Sequence, residues 1–209
     1  ESLTVANLHH ALGGPLQVTH SQIRRAWRSA RVEQAAFEGR RKEEGSRILA
    51  EIERTGEKAV VVMGRPYNTL DLGANLGLPR KISELGLTVI PMDMLPYRPE
   101  RLNPSFSDTY WQYGQHILCA AEFIRDHPNL FAIYLTNFSC GPDSFLLTFV
   151  DEIMGEKPSL TIELDEHGGD AGYLTRIEAF LDVIDSWKPH RQPPFHIPAP
   201  PSGAADARR

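Results

Sequence analysis

From residue 58 onward, short apolar runs alternate strictly with stretches of helical periodicity, and no other feature narrows the fold as much. Residues 58–63 (Lys-Ala-Val-Val-Val-Met) are continuous and β-branched, as expected of a strand covered on both faces. Further strands are predicted over 87–90, 130–135 and 159–164. Helices are predicted over 76–85, 110–126, 145–153 and 173–184. In the second of these, Tyr113, Ile117, Ala121 and Ile124 share one face, and in the last Leu174, Ile177, Phe180, Leu181 and Ile184 recur at helical spacing. Strand–helix alternation of this kind predicts a Rossmann-like α/β domain, a doubly wound parallel sheet of at least four strands.

The remaining segments read as appendages to that domain, giving an N-terminal helical arm over 1–57, the Rossmann-like domain over 58–187 and a Pro-rich tail or linker over 188–209. Residues 1–20 show little periodicity, and Gly13-Gly14-Pro15 signals a loop. Thr19 or Ser21 is a candidate cap for a helix from Gln22, with Ile23, Ala26, Trp27 and Ala30 at helical spacing. Helical composition continues towards Arg54, with Gly39 and Gly45 weakening it. The interleaved acids and bases here read as a solvated face. A net charge of −5 argues against a general nucleic-acid role. No apolar run approaches the roughly 20 residues that span a bilayer. Two cysteines, Cys119 and Cys140, do not form a disulfide framework, which points to a reducing cytoplasm. A chain opening at Glu1 with no signal peptide reads as a piece of a longer protein.

In open α/β sheets, ligands bind beyond the carboxyl ends of the strands. The four strand-end loops supply Arg65 and Asn68, then Asp93 and Met94, then Asn137 and Cys140, then Asp165, Glu166, His167 and Asp170. These residues are expected along one edge. Cys140 falls in Asn137-Phe138-Ser139-Cys140-Gly141-Pro142-Asp143-Ser144-Phe145, between a strand and a helix, with Asp143 or Ser144 as the helix cap. A thiol so placed faces backbone N–H groups that favour the thiolate, able to ligate a metal or attack an electrophile. The alternative is a small buried cysteine in a tight turn. Arg65 can hold a phosphate or carboxylate, or pair with a neighbouring acid. The Gly64–Asn68 loop is neither a Walker sequence nor a dinucleotide fingerprint. The cluster around Asp165 can bind a divalent metal or cap the last helix. Cys140 with His167, oriented by Asp165, can also be written as a thiol hydrolase pair. Cys119 reads as a packed thiol within its helix. Arg176 is expected to pair with Asp165 or Asp170.

Several runs together resemble one family. They are Gly64-Arg65-Pro66-Tyr67, Pro91-Met92-Asp93-Met94-Leu95, Tyr110-Trp111-Gln112-Tyr113-Gly114-Gln115, residues 129–145, Ile162-Glu163-Leu164-Asp165-Glu166-His167, Asp170-Ala171-Gly172, and Thr175-Arg176-Ile177-Glu178-Ala179-Phe180. Over roughly 58–184 the chain is similar to the 2-hydroxyacyl-CoA dehydratase-like domain of the CoA-substrate-specific enzyme activase family. Those proteins carry ATPase modules of the 2-hydroxyglutaryl-CoA dehydratase activator and benzoyl-CoA reductase type. The resemblance implies a part in ATP-dependent delivery of low-potential electrons to an iron–sulfur protein, within a system acting on an acyl-CoA or other small molecule. It implies Cys140 as the metal-ligating position, with Asn137, Ser139, Gly141, Arg65 and Asn68 around the cofactor. The expected cofactor is an iron–sulfur cluster, 4Fe–4S or double-cubane, completed by cysteines outside this chain, so that the isolated chain holds none and is inactive alone. The expected partners are the ATPase activator module and other domains of the same long chain or complex, with no nucleic acid and no membrane. The alternative is a cofactor-free domain that docks ATPase and dehydratase modules.

Overall fold

Strands β1 (Ala59–Gly64), β2 (Thr88–Pro91), β3 (Leu130–Asn137) and β4 (Ser159–Leu164) form one parallel sheet in the order β2-β1-β3-β4. They do so in the computed structural model of the protein, which describes residues 1–106, 108–137, 141–165 and 170–188. The register pairs Val61 with Ile90 on one side and with Ala132 on the other, and Ala132 with Ser159. The helices are α1 (Ser2–Leu12), α2 (His20–Thr55), α3 (Pro66–Thr69), α4 (Leu78–Glu84), α5 (Gln112–Asp126), α6 (Gly141–Met154) and α7 (Asp170–Ser186). The fold is therefore Rossmann-like α/β, as the alternation predicts. Among the described residues no helix is long and apolar enough to cross a membrane.

The side-chain alternation of β1 explains its composition. Ala59, Val61 and Met63 enter a core with Leu49 and Ile52 of α2, Ile117 and Ala121 of α5, and Val150 of α6. Val60 and Val62 enter the other core, with Ile82 of α4 and Ile177 and Phe180 of α7. All six β1 residues are buried, so both faces of the strand must be apolar. β3 divides in the same way, with Ala132 and Tyr134 on the first side and Phe131, Ile133 and Leu135 on the second.

The chain divides into two compact units, Glu1–Glu44 and Gly45–Arg209. The first contains α1, which the sequence reading misses because the helix buries a single residue, Val5, and leaves almost no periodic trace. Thr19 caps α2 reciprocally with Gln22: Gln22 N–H donates to Thr19 Oγ1 at 3.3 Å, and Thr19 N–H to Gln22 Oε1 at 2.8 Å. This is a capping box, and it places the helix start at His20.

In the second unit, Gly45 is a contact glycine. A Cβ there would lie 1.9 Å from the Met94 carbonyl oxygen, so only glycine lets α2 lie against the segment after β2. The long Pro-rich connection after β2 contains three short 3-10 turns, Met92–Met94, Pro99–Arg101 and Pro104–Phe106. Lys157 fixes the far end of α5: its ammonium donates to the carbonyls of Ile124 (2.6 Å), Arg125 (3.4 Å) and His127. A cation there complements both the unsatisfied carbonyls and the helix dipole.

Candidate functional site

Strand order β2-β1-β3-β4 means that the connections from β1 and β3 diverge to opposite sides. The crevice beyond the carboxyl ends of β1 and β3 is thus the topological switch point of the sheet, the usual ligand position in this architecture. Gly64 closes β1 with a φ of +134°, and a Cβ there would lie 2.4 Å from the Leu135 carbonyl oxygen of β3. That approach brings the loop after β1 onto the end of β3. Asn68, fully buried, donates from Nδ2 to the same carbonyl at 3.3 Å.

Arg65 reaches across the switch point. Its Nη2 lies 2.9 Å from Oδ2 of Asp143 in the first turn of α6. Asp143 is fully buried and also accepts hydrogen bonds from Thr136 Oγ1 and from Tyr134 Oη at 3.3 Å, both on β3. The Arg65 guanidinium lies over the Tyr67 ring, 5.0 Å from its centroid. A buried carboxylate is tolerated only when paired and hydrogen-bonded, and here three donors on two elements supply that. The network ties β1, β3 and α6 together at one edge.

Among the described residues, two acceptors at this edge have no hydrogen-bond partner although their atoms are buried, Asn68 Oδ1 and Asn137 Oδ1. Because Nδ2 of Asn68 is committed to Leu135, its orphan atom is the amide oxygen, an acceptor for an N–H, an O–H or a water.

The structure thus brings together Arg65, Asn68, Asn137 and Gly141, the first residue of α6. Asp93 follows β2 in a second polar group, accepting from Tyr113 Oη at 3.0 Å, while Tyr97 Oη and His116 Nδ1 are 3.2 Å apart. Met94 presents its backbone to Gly45. Asp165 donates its backbone N–H to Tyr173 Oη at 3.3 Å. Cys140, Ser139, Glu166 and His167 lie outside the described residues, as does the side chain of Asp170.

One expectation is corrected. Asp143 is not the helix cap; the helix starts earlier, at Gly141 with Pro142 in its first turn, so Asp143 lies inside that turn as the buried partner of Arg65. Arg176, expected to pair with Asp165 or Asp170, donates from Nη2 to the Thr161 carbonyl of β4 at 2.7 Å, bracing α7 on the sheet; the Asp170 half of that expectation falls outside the described residues. Sequence reasoning also passes over Tyr134 and Thr136, which sit within an apolar strand. The available signal is a pair of hydroxyls at i and i+2, which share one face of a strand.

Iron–sulfur clusters are held by thiolates. Cys119 does not fit that role. It lies within α5 in the apolar core, and its thiol is 3.9 Å from the Arg98 carbonyl oxygen. Burial pushes its pKa up to about 12, with the Glu122 and Glu100 carboxylates adding to the rise. Among the described residues no group of three or more His, Cys, Asp or Glu is placed to hold a metal ion. The described residues therefore do not fit a complete cluster, and no chemical step is assigned to one held by them.

Residues 2–95 match the model of a family described as the CoA enzyme activase uncharacterised domain. Over that stretch the chain is CoA enzyme activase-like. The match includes the whole of α1 and α2 together with β1, β2 and the loop that carries Arg65 and Asn68. No curated protein and no solved structure matches the chain.

Proposed function

We propose, from the premise that residues 2–95 form a CoA enzyme activase-like domain, that the chain is one domain of an ATP-dependent, low-potential electron-transfer system of the 2-hydroxyacyl-CoA dehydratase activator type. In this reading Cys140 contributes one ligand to an iron–sulfur site whose other ligands come from outside the chain. ATP hydrolysis belongs to a separate module. The observation that carries the reading is the Arg65–Asp143 pair at the switch point. It anchors the first turn of α6, and Gly141, the first residue of that helix, directly follows Cys140 in sequence. Cluster potentials are set by burial, charge and hydrogen bonds to sulfur, and a buried ion pair at that edge is a fixed electrostatic element beside the cysteine in sequence.

Anaerobic reconstitution with iron and sulfide tests the reading. The isolated chain should remain colourless, while the assembly of this chain with its ATPase and dehydratase modules should show cluster absorbance. A stoichiometric cluster on the isolated chain, or an assembly with none, would overturn it.

The second reading is a cofactor-free docking domain. The exposed Tyr67, Leu70 and Leu72 after β1, Tyr110 before α5 and Phe145 in α6 favour it, because all follow carboxyl ends of strands. An assembly that forms and works without a cluster dependent on this chain would select it.

A further inference from the structure

Aromatic rings gather where the long connection after β2 meets α6. Residues 104–111 lead from the last 3-10 turn to the start of α5 at Gln112. Phe106, in that turn, packs edge-on against Phe149 of α6, with ring centroids 5.5 Å apart. Phe145 lies one helical turn before Phe149, so the two share a face of α6. Tyr110 and Trp111 pack on each other at 4.8 Å. Gly114 lets α5 close on α6: a Cβ there would lie 3.3 Å from Leu146 Cδ2 and 3.2 Å from Thr109 Cγ2. Between these elements is a cavity of about 350 Å³, lined by all five rings and by Asp108.

Packing of the domain does not account for the whole cluster. Phe106 is 4% exposed, but Phe145 is 64% exposed and Tyr110 80%. Large apolar groups left at the surface together mark a binding surface more often than a fold requirement. The electron-transfer reading gives these rings no part.

The charge of the cavity selects what it can take. Among the described residues lining it, Asp108 is the one charged group, and none is basic. Asp108 is exposed and has no ion-pair partner among the described residues. The face of an aromatic ring is also negative. A cation with an apolar coat suits both features, because the rings attract its charge and cover its methyl groups while the carboxylate balances it. A strongly hydrated ion would exchange water for rings that offer no lone pair. The amino end of α5 follows Trp111 without a side-chain cap and favours an anion, but an anion here would meet Asp108 with no basic side chain to offset it.

We propose that this cavity is a binding site for a small quaternary ammonium compound, held by the rings of Tyr110, Trp111 and Phe145 and by the Asp108 carboxylate. The inference is independent of the electron-transfer reading.

Calorimetric titration of the 209-residue chain with choline tests it. Choline should bind saturably, and its uncharged carbon isostere, 3,3-dimethylbutan-1-ol, should bind about tenfold or more weakly. Tyr110→Ala, Phe145→Ala and Asp108→Asn should each weaken choline binding by roughly fivefold or more. Tyr110→Phe should keep it, since the ring and not the hydroxyl makes the contact. All three positions are exposed, so far-UV circular dichroism should be unchanged in every variant. No saturable choline binding overturns the proposal, as does binding that the three substitutions leave untouched. Equal affinity for choline and the uncharged isostere would make the cavity an apolar slot and overturn it, and so would tighter binding of the corresponding carboxylate. A trimethyllysine peptide bound about tenfold more tightly than choline would give the rings to a protein tail and overturn the small-molecule assignment.

Discussion

Asp143 shows how much one side chain decides at the sheet edge. It is fully buried and holds Arg65, Thr136 and Tyr134 at once. Removing the carboxylate takes the buried ion-pair partner from a guanidinium whose side chain is only 22% exposed, so Asp143→Ala should cost about 3–5 kcal/mol of unfolding free energy. The double variant Arg65→Met/Asp143→Leu should cost less than the sum of its parts in a denaturant cycle. Additive losses would mean that the two groups are not coupled. His127 gives a pH dependence. Burial pushes its imidazole pKa down, against the pull of the nearby Glu53 carboxylate and with help from the Lys157 charge. The unfolded chain then binds more protons than the folded one once the pH falls below about 6.5. Stability should therefore decline as pH drops through that region. Chemical denaturation at pH 7.5 and pH 5.5 should show a smaller decline in His127→Gln than in the parent chain; an equal decline would remove His127 as its source.

At the scale of elements, the parts that were legible in sequence are those whose local chemistry and tertiary role agree. β1 is β-branched because both its faces are buried, and α5 and α7 each carry an apolar stripe that meets the sheet. α1 was not legible, since burying one residue requires no pattern. In the sequence Gly45 reads as a weakness of α2. Its reason lies in a backbone contact with Met94, distant in sequence, that no local rule reveals. Gly45→Ala should therefore destabilise the protein by about 1–3 kcal/mol, although alanine is the better helix former. Thermal melts of the variant would decide this, and a stabilised protein would mean that the close approach is wrong. The candidate site was legible in outline. The strand-end rule selects Arg65, Asn68 and Asn137, but the partner of Arg65 depends on α6 beginning at Gly141, and helix boundaries are where local signals are least exact.

Across the whole molecule, the two cysteines stand in different chemical situations. Cys119 is sealed in the core with its pKa pushed up to about 12, a packing thiol. Cys140 adjoins, in sequence, the helix start that Arg65 and Asp143 hold. The most direct measurement is low-temperature electron paramagnetic resonance of the reduced, complete assembly carrying Cys140→Ser or Cys119→Ser in this chain. The account predicts that Cys140→Ser abolishes or distorts the cluster signal, while Cys119→Ser leaves it unchanged. An unaltered signal and redox activity with Cys140→Ser would contradict it and leave the docking domain as the function of this chain.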